Sequence, residues 1–164
     1  MKLVVATLLV ASGLSGCALY QPVPPGYTGP IATVSDSGFS ENGAKAQLFV
    51  LLEVDGNAIP NSFKASAGAS DGSGFSLTTQ IVDRQVPAKP MRVKLRASHT
   101  TGAPIHALFS QAIGSFYFVE GVVDFSPQPQ GKYVVKGELK KEGSSVWIED
   151  LATHQPVTQK VTRN

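Results

Sequence analysis

The sequence predicts an all-β fold: an antiparallel β-sandwich of about seven to nine short strands with at most one short helix. Three observations carry that prediction. Met91, Val93, Leu95 and Ala97 alternate with Arg92, Lys94 and Arg96, and Tyr133, Val135, Gly137 and Leu139 alternate with Val134, Lys136 and Glu138. A period of two puts each set on its own face of a strand. Turn residues recur about every 8–12 positions, the spacing of a sandwich or barrel. The 16 glycines and 11 prolines follow no fixed period, which suits many turns between short strands and excludes a repeat array.

The first residues have a different character. Lys2 supplies a positive start, Leu3 to Ala11 is an apolar run broken only by Thr7, and Ser12-Gly13 begins a small-residue end. This is the three-part layout of a secretory signal, and the run is too short to span a bilayer as a helix. Leu14-Ser15-Gly16-Cys17 follows, with the only cysteine of the chain. These four residues resemble the lipobox of bacterial lipoproteins. The resemblance covers the first 17 residues and implies removal of residues 1–16, a diacylglycerol on the Cys17 thiol and an acylated new amine. Each buried methylene of such chains contributes about 0.8 kcal/mol, so two or three chains on one cysteine hold permanently where one holds marginally. With Ala18 after the cysteine, in place of aspartate, the resemblance implies the periplasmic face of the outer membrane. Membrane lipid is thus one expected partner.

Residues 17–30 form a proline-rich tether, with Pro22, Pro24, Pro25 and Pro30. Proline favours extended polyproline II structure, which reaches roughly 40 Å over this length. Tyr20 and Tyr27 are expected to be solvated within it. The single domain then runs over 31–164. Ile31–Val34 is a first short strand, and Ser35–Gly43 a turn-rich connection. Ala44–Val54, with Leu48 to Leu52 in a row, predicts a strand covered on both faces. Asp55-Gly56 predicts a hairpin with its return along Ile59–Lys64. Ala65–Gly74 holds only small and polar residues and predicts a mobile loop. Phe75–Val82 alternates weakly, and Pro87 and Pro90 close that segment.

Met91–Ala97 predicts a half-buried strand with a wet basic face. Pro104 to Gly114 predicts a helix of about two turns, with Ile105, Leu108, Phe109 and Ala112 on one side. Phe116–Phe125 is an aromatic and β-branched strand in which Gly121 suggests a bulge. Lys132–Leu139, Val146–Ile148 and Val157–Val161 follow across turns at 127–131, Gly143 and 151–156, and all four are expected to pair antiparallel in sequence order. This C-terminal third resembles strands of immunoglobulin-like and transthyretin-like sandwich modules, and no functional residue transfers with that resemblance.

Composition narrows the function. Removing residues 1–16 leaves 148 of the 164, with 13 basic residues against 12 acidic ones. That balance excludes the clustered basic footprint of a nucleic-acid binder. A lone cysteine excludes an internal disulfide, so an apolar core must hold the fold. His99, His106 and His154 fall in no metal-ligand spacing, and no metal or cofactor is expected. There is no Gly-x-Ser-x-Gly. Glu149-Asp150 are neighbours on a strand and point to opposite faces, which does not place two carboxylates across one bond.

Two features remain as a candidate binding surface. One is the row Arg92, Lys94 and Arg96; the other is Trp147, flanked by Val146 and Ile148 and expected in the core if both faces of its strand are covered. The expectation is a non-catalytic envelope module that binds another envelope protein or the cell wall. A periplasmic enzyme or enzyme inhibitor, and a glycan or small-ligand carrier, are the alternatives.

Overall fold

A computed structural model describes residues 19–102, 114 and 116–163. Its elements are β1 (Ile31–Ser35), β2 (Ser37–Asn42), β3 (Lys45–Val54), β4 (Asn57–Ala58), α1 (Ser62–Ser70), β5 (Asp83–Pro87), β6 (Met91–Thr101), β7 (Phe118–Phe125), β8 (Lys132–Glu138), β9 (Ser144–Asp150) and β10 (Val161–Arg163). They form two five-stranded sheets. One has the order β10-β9-β8-β1-β5; the other runs β2-β3-β6-β7, with β4 paired to β3. The all-β sandwich is therefore as the alternation predicts, with one short helix among the described residues.

The inward faces are the ones the period of two selects. Met91, Val93, Leu95 and Ala97 of β6 join Phe49 and Leu51 of β3, Val135 of β8, and Val146 and Ile148 of β9 in one apolar core. Ala46, Leu48 and Val50 face the other way on β3 and are buried too. Val50 lies beside Arg96 in the β3–β6 register, and the Arg96 guanidinium sits 5.6 Å from the Phe63 ring of α1. The helix thus covers the outer face of the second sheet, which is why β3 is apolar on both sides.

Several expectations need correction. Ten strands are described rather than seven to nine. Ser35–Gly43, expected as a turn-rich connection, holds β2, whose mostly exposed residues give no apolar period. The hairpin return is the two-residue β4 rather than Ile59–Lys64, and the strand after α1 is β5 rather than Phe75–Val82. One pairing is parallel: β1 lies beside β8, with Val34 opposite Tyr133. β7 does not pair with β8, because the two belong to different sheets. Gly121 sits in an unbroken β6–β7 register opposite Leu95. Its lack of a side chain serves close packing instead, since a Cβ there would stand 2.6 Å from Val161 Cγ1. The last strand begins at Val161, after a single bridge from Pro156 to Glu149. The helix expected over Pro104–Gly114 lies outside the described residues, Gly114 excepted.

The largest correction concerns Ala65–Gly74. Most of it is helical, and the helix begins at Ser62. Asn61 caps it, its side-chain oxygen accepting from the Lys64 N–H at 3.2 Å. The buried face of α1 consists of Ser62, Ser66 and Ser70, spaced i, i+4, i+8. Each hydroxyl accepts a backbone N–H of the extended segment that follows: Val82 to Ser62, Gln80 to Ser66 and Thr78 to Ser70, all at 2.9 Å. The helix is docked by hydroxyls acting as a strand edge, not by apolar side chains.

The tether also differs from a free leash. The Tyr20 N–H already donates to the Ala58 carbonyl at 3.2 Å, and Pro22 is buried. From Tyr20 onward the proline-rich segment lies against the body.

Candidate functional site

The chain switches sheets between β1 and β2, and Asp36 sits at the switch. β2 stops pairing with β3 at Ser37 opposite Phe49, so the next outward N–H of β3 has no strand partner. The Asp36 carboxylate takes that place, accepting from Leu51 N–H at 2.9 Å. It also accepts from the backbone N–H and the hydroxyl of Ser62, at 2.9 and 2.8 Å, at the N-terminus of α1, where a negative charge is favoured. Arg84 of β5 closes a two-pronged pair, Nη1 to Oδ1 at 2.7 Å and Nη2 to Oδ2 at 2.6 Å. Asp36 is 2% exposed and Arg84 8%. One buried carboxylate therefore ties both sheets and the helix together. It is spent on structure, with no open side toward solvent. Sequence spacing carried no signal for it, because its partners come from β3, α1 and β5.

At the opposite end of β6, His99 borders an open cleft of about 800 Å³. The C-terminal end of α1 and the turn after it (Ser70, Asp71, Gly72) form one wall, and His99, Thr101 and Phe116 the other. The His99 ring is engaged at both nitrogens. The Tyr117 N–H donates to Nδ1 at 3.0 Å, and Nε2 lies 3.0 Å from a Glu41 carboxylate oxygen. With Nδ1 accepting the shorter Tyr117 N–H bond, the neutral ring carries its proton on Nε2, donating to Glu41; the Tyr117 carbonyl oxygen also lies 3.3 Å from Nδ1. Burial, and then the Lys45 charge, hold His99 below the ordinary histidine range against the opposing pull of Glu41. On Glu41, burial acts upward, but hydrogen bonds from Gln47 and Lys45 outweigh it and leave the carboxyl below its ordinary range. This histidine braces the Tyr117 backbone, with both ring nitrogens engaged. His154 is exposed, and His106 lies outside the described residues. Among the described residues, no group of three or more His, Cys, Asp or Glu side chains could hold a metal ion.

The structure brings Arg92, Lys94 and Arg96 to the outer face of the second sheet, but compensates Lys94 and Arg96. Lys94 Nζ lies 3.2 Å from Glu53 and 3.0 Å from Glu120; those hydrogen bonds, Glu120 first, hold its ammonium above the ordinary lysine range. Arg96 is 3.6 Å from Glu120 and stacks on Phe118 as well as Phe63. Arg92 stands exposed opposite Asp124; only its backbone N–H donates to Asp55, at 2.9 Å, and no ion pair to its guanidinium is seen among the described residues. At Lys94 and Arg96 the row that is basic along one strand becomes a mixed-charge lattice once neighbouring strands supply carboxylates; Arg92 keeps an exposed charge at its end.

Trp147 is 8% exposed, on the face of β9 away from the inter-sheet core. The C-terminal segment covers it: Val157 N–H donates to Ile148 O at 2.8 Å, Ile148 N–H to Thr158 Oγ1 at 3.0 Å, and Lys160 Nζ lies 4.0 Å over the indole. Its Nε1 is buried with no hydrogen-bond partner among the described residues. Trp147 therefore offers no open stacking platform. Of the remaining sequence-derived site residues, Leu14, Ser15, Gly16 and Cys17 lie outside the described residues. No protein-family model, curated protein or solved structure matches this chain.

Proposed function

We propose that the chain is a lipid-anchored cell-envelope protein, held through Cys17 on the periplasmic face of the outer membrane, whose sandwich is a non-catalytic binding or interaction module. The anchor rests on the signal-like residues 1–16 and on Leu14-Ser15-Gly16-Cys17. The observation that supports a binding role is the employment of the buried ionisable groups. Asp36 and Arg84 pair with each other, Asp36 also accepts the backbone N–H groups of Leu51 and Ser62, Arg84 also donates to the Val82 carbonyl, and both His99 nitrogens are engaged. His99 borders a cleft whose lining includes Asp71, Thr100, glycines and Phe116, suited to hydrogen bonds and stacking. The partner class is another envelope protein or the cell wall.

Replacing Cys17→Ser tests the anchor. The expected result is loss of lipid labelling and of membrane-fraction recovery; retained labelling would refute it. A carrier of a small polar ligand is the second reading, favoured by the 800 Å³ of the cleft. Saturable glycan binding that is lost on Phe116→Ala, with the fold intact, would select it.

A further inference from the structure

The path of the chain into the body limits how far the body stands from Cys17. Tyr20 N–H is bonded to Ala58 O on β4 at 3.2 Å. Tyr27 N–H closes a turn on Pro24 O at 3.1 Å. Pro22, Pro24 and Tyr27 then wall a narrow cavity of about 110 Å³ with Val54, Lys89 and Met91. Three residue steps separate Tyr20 from Cys17, which span at most about 11 Å when fully extended. The entry point lies where β3 ends and β6 begins, ringed by the Asp55–Asn57 turn and the Pro87–Met91 link. The ten residues of β3 make the body about 33 Å long in this direction. The His99 cleft and the β8–β9 turn lie at its other end. Leu19 and Tyr20 are 39% and 41% exposed at the entry point, an apolar residue beside an aromatic one with a polar tip, the pairing suited to a headgroup boundary.

We infer that the entry end of the sandwich rests on the bilayer surface, with Leu19, Tyr20, Asn57 and Lys89 at the headgroups, and that the His99 cleft is held away from it. This rests on the anchor at Cys17. A lipid-linked body on a free leash of roughly 40 Å would tumble; one bonded at Tyr20 presents one end down and the cleft outward.

The test uses full-length acylated protein in vesicles of phosphatidylethanolamine and phosphatidylglycerol. Single cysteines replace Asn57 or Lys89 at the entry end, and Ser73 or Glu142 at the far end, all exposed positions. Each carries a fluorophore, and a nitroxide on the lipid headgroup acts as quencher. Quenching several-fold stronger at 57 and 89 than at 73 and 142 is expected. So is loss of that difference when 20 Gly/Ser residues are inserted between Ala18 and Leu19, which give a root-mean-square reach of about 25 Å. Equal quenching at all four positions in protein that floats with the vesicles overturns the orientation alone. Stronger quenching at the far end, or a pattern indifferent to the insertion, does the same. Protein that does not float overturns the anchor and the orientation with it.

Discussion

Replacing Asp36→Ala should be among the most damaging single changes in the body. The carboxylate is 2% exposed and its partner Arg84 8%, so the substitution leaves a guanidinium buried without its counter-charge. Breaking a buried pair from one side costs about 3–5 kcal/mol. The N–H groups of Leu51 and Ser62 lose their acceptor as well, at about 1–3 kcal/mol each where water does not reach them. These losses share one residue and do not simply add. A loss of about 4 kcal/mol, against total stabilities of about 5–15 kcal/mol, brings the variant close to unfolding. With a urea slope of about 2 kcal/mol/M, the midpoint falls by about 2 M.

Trp147 is the only tryptophan, buried on β9 away from the substitution, so its fluorescence reports global unfolding. The paired change Asp36→Leu with Arg84→Met separates two accounts. Were the ion pair the whole effect, removing both charges would restore the midpoint, since buried pairs are often replaceable by apolar groups. The N–H groups of Leu51 and Ser62 predict only partial recovery. A midpoint shift below about 0.5 M for Asp36→Ala, or full recovery in the pair, would refute the assignment of Asp36 as the joint of sheets and helix.

Three other outcomes are expected. Ser66→Ala removes the hydroxyl that accepts Gln80 N–H and donates to Gln80 O, so it should destabilise by about 1–3 kcal/mol and expose 75–82 to protease; a gain in stability from alanine's helix propensity would sink the serine-edge account. Because burial lowers the His99 pKa, the neutral ring is favoured in the folded state. Its contribution is complete above about pH 6.5 and declines as pH falls from there through the lowered folded value; a urea midpoint at pH 5.5 equal to that at pH 7.5, or a dependence unchanged by His99→Gln, would count against it. Gly121→Ala should push β7 off β10, because the new Cβ meets Val161 at 2.6 Å, and Val161→Ala should relieve it; early carboxypeptidase release of residues 156–164 in the single variant, and protection in the pair, would be the readout.

What the residues determine by themselves follows from solvent. Met91–Ala97 alternates because one face of β6 meets the core and the other meets water, so the period survives in the sequence. The same logic made Leu48–Leu52 legible as a strand covered twice. α1 was not legible, because the covering face is Ser62, Ser66 and Ser70; hydropathy cannot register a face that docks through hydroxyls, although its spacing of four was there to be read. The charge of Arg92, Lys94 and Arg96 is plain on one strand, yet whether it is free depends on Glu53 and Glu120, which only pairing of β3, β6 and β7 brings alongside. Trp147 was ambiguous for a similar reason: its neighbours face the core, and only the returning segment 156–160 decides that its own side is covered. Asp36 lies furthest beyond the sequence. Its partners come from 15, 26 and 48 residues away, and nothing local makes an aspartate after a short strand a buried joint. Tertiary structure decides it because the sheet switch leaves a β3 N–H, a helix terminus and a guanidinium converging on one point, where only a carboxylate satisfies all three.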